Sequence, residues 1–201
     1  MSNFVFAPMP PTQAENSAWV EWNDGFTSEE LATIETYCAS ALTLVKGGIR
    51  GPLAEGDTSH IRKSKVAKFG YNDETAQFYD KLALIIRNLN AQFYRFDLYG
   101  FIEDFQYAVY LEQDGGHYDW HIDAASDTIA PRKLSVVLQL SDPADYDGGD
   151  LQIYSGGDIG VVSRKRGLLS AFPSFRLHRV TPVERGIRKT IAVWVSGPAF
   201  K

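Results

Sequence analysis

Apolar residues change their spacing once along this chain, near residue 104. Before it they recur every three or four positions. Leu31, Ile34, Cys38, Leu42 and Val45 mark the buried face of one helix, and Phe78, Leu82, Ile85, Ile86, Leu89 and Phe93 that of a second, with Asn90 near its end. The first helix carries its own start signal: Thr27 is placed to cap it, Glu30 to reach back in a capping box, and Phe26 and Leu31 occupy the staple positions on either side. The second follows NDET. Between them GGIRGPLAEGDTSHIRKS reads as a long loop, and in an enzyme a loop of that length is a candidate substrate lid. The opening dozen residues, with their PMPP, are expected to be extended or loosely held.

Beyond residue 104 the period shortens. FQYAVYLE, GHYDWHI, KLSVVLQL, DLQIYS, IGVVS, GLLSAF, HRVTPV and RKTIAVWVSG are short β-prone runs separated by Gly, Asp, Pro and Ser, with DYDGGD and YSGGD as the clearest turns. Eight such strands predict a jelly roll or small barrel, and two preceding helices would cover one outer face of a sheet. The expected fold is therefore α+β, mainly β: a double-stranded β-helix (jelly roll) over about 104–198, with N-terminal helical support over about 13–100, in one domain spanning 1–201. A chain of 201 residues with 44% hydrophobic and 13% aromatic content can build a core of that size.

Composition narrows the chemistry. The single Cys38 excludes an internal disulfide framework and a cysteine-based zinc cluster, so any metal must be held by His and carboxylate. No stretch approaches the ~18 apolar residues of a membrane span, and the N-terminus lacks a basic region followed by an apolar run. The expectation is a cytoplasmic protein with no membrane partner. The net charge of −5 conceals an asymmetry, because residues 161 to 190 carry Arg164, Lys165, Arg166, Arg176, Arg179, Arg185, Arg188 and Lys189 against Glu184 alone. Such a run is ordinarily a solvated face, and the acidity of the rest argues against nucleic acid as a partner.

HYDWHID, residues 117 to 123, holds two overlapping His-x-Asp pairs, His117/Asp119 and His121/Asp123. Along a strand such a pair projects to one side with its Cα atoms roughly 6.5–7 Å apart, close enough to share a cation. A pair becomes a site only with a third ligand from elsewhere, and His60 and His178 are the histidines left. His178, in the strand-like FPSFRLHRVTPV, would complete two His and one carboxylate, the facial triad of non-haem Fe(II) with three open positions. A zinc hydrolase could use the same ligands. Arg188, ten residues after His178 at the start of a probable neighbouring strand, is what separates the two: an inward guanidinium can grip a carboxylate through two parallel hydrogen bonds, a clamp that anchoring 2-oxoglutarate requires and a hydrolase does not.

In this order of motifs, H121-x-D123, RKLSVVLQLSD, YDGGDL, FPSFRLHRV with His178, and G186-x-R188-K-T ending in AVW194VSGP, the sequence resembles the Fe(II)/2-oxoglutarate dioxygenases, in particular the prolyl/lysyl hydroxylase type, prolyl 4-hydroxylase-like. The resemblance covers about 105–198 and extends more weakly into RKSKVAKFG and the following helix. The ten-residue spacing from His178 to Arg188 looks more like the prolyl hydroxylases than the nucleic-acid demethylating branch. It implies His121, Asp123 and His178 as metal ligands and catalytic residues, and Fe(II), 2-oxoglutarate and O2 as cofactor and cosubstrates, with ascorbate as a further candidate. It also implies hydroxylation of a C–H bond of a prolyl residue in a protein or peptide, with succinate and CO2 released. A free amino acid or small molecule is the alternative substrate, and a non-catalytic metal-binding (cupin-like) jelly roll or a zinc-dependent hydrolase the alternative function.

The family pattern of a Tyr, a glycine-containing turn, an aromatic and then H-x-D fits Tyr110, Gly115 or Gly116, Tyr118 and His121/Asp123. Asp123 also precedes the small, polar AASDT, where a strand can end and curl toward a metal, whereas Asp119 runs straight into Trp120. His117 and Asp119 are thus expected at the strand surface or pocket rim, and His60 as an ordinary solvated histidine. For the cosubstrate the candidates beside Arg188 are Tyr110, through its hydroxyl, Thr190, on the same face, and Gln139. The resemblance leads one to expect a cosubstrate-binding tyrosine on the strand after H-x-D, but VVLQL offers Leu138 and Gln139 there. Trp194, Trp120 and Tyr118 are the candidate substrate-pocket residues, Trp194 with core packing as its equal alternative. The segments expected to meet substrate, 46–64 and 124–131, carry no recognisable chemistry.

Overall fold

The computed structural model of the protein describes residues 17–49, 57–124 and 132–199. The expectations for the first dozen residues, and those for positions 50–56 and 125–131 of the two substrate-facing segments, lie outside the described residues.

Thirteen strands among the described residues form two antiparallel sheets. The larger runs β1 (Val20–Trp22), β11 (Leu169–Pro173), β7 (Arg132–Gln139), β13 (Val183–Ser196), β5 (Phe105–Leu111), β4 (Lys65–Phe69) and β2 (Val45–Lys46), with β8 (Tyr146–Gly148) paired to the start of β13. The smaller runs β10 (Ile159–Val161), β9 (Leu151–Tyr154), β12 (His178–Val180), β6 (His117–His121) and β3 (Arg62–Lys63). This is the expected mainly-β jelly roll, with two helices on the outer face of the larger sheet.

Alternation along three central strands places everything that follows. In β5, Phe105, Tyr107, Val109 and Leu111 join the helical core, while Ala108 and Tyr110 join the core between the sheets. In β7, Leu134, Val136 and Leu138 face the helices and Val137 packs inward; in β13, Ile191, Val193 and Val195 do the first. Ser135, Gln139, Arg188, Thr190 and Trp194 hold the other parity and so face the interior between the sheets. Covered on both sides, FQYAVYL is buried at all seven positions and is apolar or aromatic at all but Gln106.

Helix α1 (Ser28–Ala41) starts as expected: Thr27 Oγ1 accepts from the Glu30 amide at 3.2 Å, and Glu30 accepts from the Thr27 amide at 2.7 Å. Glu30 also accepts from Lys81 of α2 (Ala76–Leu89) at 2.6 Å, joining the start of α1 to the middle of α2. Leu31, Ile34 and Cys38 are buried, as their spacing predicts. The helical period does not extend to Val45. Leu42 is extended, with φ −105 and ψ 138, and Val45 lies exposed in β2 opposite Val66 of β4, where the β-branched Thr43 and Val45 favour an extended chain at the sheet edge. In α2 the stripe from Phe78 to Leu89 is buried, and Asn90 clamps the exit by two hydrogen bonds to the backbone of Phe96, at 2.9 and 3.0 Å.

Strands were expected from residue 104 onward, yet β1 to β4 precede it. They are short, two to five residues; β3 falls inside what reads as one long loop and β4 follows directly after it. Lys-rich KVAKF lacks a clean alternation but adds to the edge of β5 with five paired positions. The basic run is dispersed by acids from distant elements: Arg164 pairs with Asp150 at 2.8 Å, Lys165 with Asp24 at 3.0 Å, Arg166 and Lys189 with Glu35 at 3.1 and 2.8 Å, and Arg185 with Asp147 at 2.6 Å. No described helix is long and apolar enough to cross a membrane.

Candidate active site

β12 and β6 pair antiparallel with His178 directly opposite His121, their ring centroids 4.1 Å apart. Asp123 follows just beyond β6. Its Oδ2 lies 3.4 Å from His178 Nε2 and its Oδ1 3.8 Å from His121 Nε2, and one ligand atom from each of the three lies within 4.8 Å of the others. The tautomers are set from behind. His121 Nδ1 is 2.7 Å from the Asp119 carbonyl and His178 Nδ1 2.9 Å from the Arg176 carbonyl; carbonyls only accept, so both Nδ1 atoms carry a proton and both Nε2 atoms face Asp123.

The electrostatics agree with a metal-ready state. Burial, with the adjacent His178, holds the His121 imidazole down to about 4, so it is neutral at neutral pH. Burial alone would push the Asp123 carboxyl up, but the imidazoles of His178 and His121 and hydrogen bonds from Ser135 and Trp194 outweigh it, and the carboxyl sits below its ordinary range. Two imidazole nitrogens and one carboxylate are the donor set of a facial triad, and the residues fit one divalent ion.

A bulge separates the overlapping His-x-Asp pairs. Between His178 and Val180 of β12, β6 supplies four residues, Tyr118 to His121, so its alternation is broken. Tyr118 and His121 consequently face the same interior, stacked at 3.5 Å between centroids, with the Arg62 guanidinium 4.5 Å over the far ring. His117 points elsewhere: its Nδ1 is 2.8 Å from the Gly115 carbonyl and its Nε2 3.3 Å from the His60 carbonyl. Asp119 is exposed and accepts from the Trp120 amide at 2.8 Å. His60 itself is exposed. Trp120, expected at the substrate pocket, packs instead under Arg179 at 4.7 Å, and Arg179 alternates away from His178.

Behind Asp123 stands a polar shell only partly legible in the sequence. Ser135 Oγ donates to Asp123 Oδ2 at 2.7 Å and lies 3.0 Å from Ser174 Oγ. The Ser174 carbonyl accepts from the amides of Asp123 and Ala124, both at 2.9 Å, which fixes the chain where β6 ends. Trp194 touches the same carboxylate through a hydrogen bond, with the Arg132 guanidinium 3.9 Å over its ring. Trp194 therefore orients Asp123 as well as walling the interior. Nothing in the sequence marks Ser135 or Ser174 except their parity: Ser135 is the small polar residue facing Trp194 across the β7–β13 ladder.

Farther along the same interior lies Arg188, only 3% exposed. Its guanidinium stands 5.4 Å over the Tyr110 ring, so Tyr110 meets it with its face, not its hydroxyl. Among the described residues no carboxylate lies within ion-pair distance of it, alone among the cations of its strand: Lys189 pairs with Glu35 and Arg185 with Asp147. Thr190 and Gln139, both buried, are ladder partners on its face. Val137, Gln139, Leu168, Ser170, Arg188 and Tyr146 line one small cavity here. Tyr146, fully buried at the start of β8, was not singled out from the sequence, where it reads as a turn residue. The turn after it is shaped around the arginine. Gly149, at φ +62, leaves room that a Cβ would close to 3.0 Å from Arg188 Cδ and 3.4 Å from Tyr146 Cε2.

A jelly roll that gathers two histidines and an aspartate around one point and buries an arginine with no carboxylate partner among the described residues has the form of a non-haem metal oxygenase scaffold. Residues 105–196 match the family model of the 2OG-Fe(II) oxygenase superfamily. The enzymes of that superfamily are named for Fe(II) and 2-oxoglutarate. A PKHD-type hydroxylase of Teredinibacter turnerae is 40% identical over 89 residues, 41% of this chain and 39% of that protein. Another, of Pseudoalteromonas atlantica, is 31% identical over 151 residues, 69% of this chain and 66% of that one. The chain thus spans about two fifths of the length of several curated relatives that it matches. In fold it is similar to a Pseudomonas putida prolyl-4-hydroxylase, with TM-score 0.66 at 20% identity over 90% of this chain and 94% of that one. It is also similar to a Trichoplax adhaerens prolyl hydroxylase solved with a hypoxia inducible factor peptide fragment, with TM-score 0.71 at 19% identity over 91% and 84%.

Proposed function

We propose that the protein is an Fe(II)- and 2-oxoglutarate-dependent hydroxylase acting on a prolyl residue of a protein or peptide. One observation carries the reading. A buried guanidinium with no carboxylate partner among the described residues lies in the same interior as the His121, Asp123, His178 cluster. An uncompensated buried charge is costly, so this one favours an anionic ligand.

In this reading His121, Asp123 and His178 hold three coordination positions on one face and leave the rest open. Ser135 and Trp194 fix the Asp123 carboxylate so that one rotamer meets the ion. Arg188 grips the distal carboxylate of the cosubstrate, and the Tyr110 ring keeps the guanidinium in place and water away. Tyr118 and Phe172, whose rings lie 3.5 and 4.7 Å from those of His121 and His178, screen the reacting centre from the solvent. The bound iron and cosubstrate supply the oxidation: substrate C–H, 2-oxoglutarate and O2 give substrate C–OH, succinate and CO2, the electrons for the second oxygen atom coming from decarboxylation. Ascorbate would serve as an external reductant in unproductive turnovers.

The prolyl target rests on the similarity to PKHD-type hydroxylases and prolyl hydroxylases. A decisive assay mixes the anaerobic protein with Fe(II) and 2-oxoglutarate, watches for the weak visible charge-transfer band, and then admits air. A band followed by succinate is expected, and both should vanish in His178→Ala and Arg188→Ala. Survival of succinate formation in either variant would overturn the mechanism. The substrate is sought as a +16 Da mark on host peptides that depends on the enzyme.

A further inference from the structure

Tyr146 presents an unusual hydrogen-bond account. Its hydroxyl is fully buried, and Gln139 Nε2 reaches it at 3.0 Å. That nitrogen is a donor, because it also reaches the Ser141 carbonyl at 3.3 Å, which can only accept. Arg188 hydrogen-bonds the same hydroxyl, and a guanidinium too can only donate. The tyrosine oxygen therefore receives two hydrogen bonds while its own proton finds no acceptor among the described residues. A buried O–H without an acceptor costs on the order of a hydrogen bond, and such a group in a native interior is an indication of a ligand.

The ligand's chemistry follows from what surrounds that proton. Burial pushes the phenol's pKa up against the opposing pull of Arg188 and Arg164, so the hydroxyl stays protonated and remains a donor. Arg188, buried and without a carboxylate among the described residues, contributes further N–H donors to the same cavity. A phenol and a guanidinium converging on one space fit a carboxylate, which has two oxygens and no proton to give. The parts are held rigidly. Gly149 packs its backbone against the Arg188 stem and the Tyr146 ring, Arg164 lies 5.3 Å over that ring, and Arg164 is itself fixed by Asp150 at 2.8 Å.

We infer that Tyr146 is the second anchor of the cosubstrate, donating its hydroxyl proton to the distal carboxylate of 2-oxoglutarate beside Arg188, with Gln139 orienting the phenol and not touching the ligand. This rests on the 2-oxoglutarate reading given above. It makes β8, a three-residue strand remote in sequence from the metal ligands, a determinant of which 2-oxo acid is accepted.

The test is a binding titration, not turnover. Anaerobic Fe(II)-loaded protein is titrated with 2-oxoglutarate and, separately, with 2-oxovalerate, which keeps the chelating end and replaces the distal carboxylate by a methyl group; the visible band reports both. Tyr146→Phe is expected to weaken 2-oxoglutarate about tenfold, the scale of one hydrogen bond to a charged group, and to leave 2-oxovalerate within about twofold. Unchanged 2-oxoglutarate affinity, or equal loss for the two acids, overturns the inference while leaving the oxygenase reading intact. A wild-type protein that develops no band with 2-oxoglutarate overturns that reading and the inference with it. If Tyr146→Phe does not fold, as judged by thermal unfolding, Gln139→Leu makes the same comparison: selective weakening of 2-oxoglutarate supports the anchor, and its absence removes it.

Discussion

Ser135 Oγ donates to Asp123 Oδ2 at 2.7 Å, from a strand twelve residues away in sequence. This hydroxyl, 3.0 Å from Ser174, and the Trp194 indole are what hold the carboxylate toward both imidazoles. Ser135→Ala is therefore expected to weaken Fe(II) or Mn(II) binding by ~10–100-fold, the usual consequence of losing a group that orients a ligand. The fold should survive, since alanine fills nearly the same space in a position only 1% exposed. Metal titration with thermal unfolding in parallel checks this; unaltered affinity would show that Trp194 and the two amides on Ser174 suffice.

The overlapping pair makes an opposite expectation. Both ring nitrogens of His117 are turned to backbone carbonyls, and Asp119 is exposed with its Oδ1 on the next amide. His117→Ala and Asp119→Ala should leave metal affinity within about twofold, and the former should cost ~1 kcal/mol of stability through lost hydrogen bonds. A large loss of metal in either would mean that the wrong half of HYDWHID has been assigned.

How far the chain could be read in advance follows from which kind of signal each part left. The capping box at Thr27 and the stripe from Phe78 to Leu89 are local periodicities, and they appear where their spacing puts them. Inward parity of Arg188, Thr190 and Trp194 is likewise fixed by period two along a single strand. Tyr118 beside His121 was inaccessible to that logic, because a bulge set by pairing with β12 shifts the parity in the middle of β6. A short strand such as KVAKF leaves little trace, since its exposed lysines, Lys65 and Lys68, break the alternation of a five-residue run. Tyr146 escaped for a different reason: its role depends on Gln139 and Arg188, seven and forty-two positions distant, and on a glycine turn that looks like any other turn.

Gly149 gives a backbone prediction. It sits at φ +62, and a Cβ there would lie 3.0 Å from both Arg188 Cδ and Val183 Cγ2. Gly149→Ala should destabilise the protein by ~1–2 kcal/mol through left-handed strain and displace the arginine stem, lowering cosubstrate affinity as well. Gly157→Ala is the control, because that position lacks positive φ and nothing lies within 4 Å of its added Cβ. Urea unfolding of the two variants should separate them clearly, and equal midpoints would argue against a crowded turn.

Glu35 ties α1 to the larger sheet, accepting from Lys189 at 2.8 Å and from Arg166 at 3.1 Å with its side chain 24% exposed. Burial alone would push its carboxyl up, but the hydrogen bonds and charges of Lys189 and Arg166 prevail, and its pKa lies below the ordinary 4.5. The sign of the linkage follows. A carboxyl whose folded pKa is depressed stabilises the fold at pH values above its unfolded pKa, and that contribution fades as pH falls through the folded value. Glu35→Gln should thus be less stable than wild type at pH 7, by ~1–2 kcal/mol, because it leaves two cations without their shared charge. Below pH 4.5 the two urea midpoints should converge, wild type losing the advantage that the variant never had. A gap that stays constant between pH 7 and pH 3 would mean that the glutamate acts through packing and not through its charge.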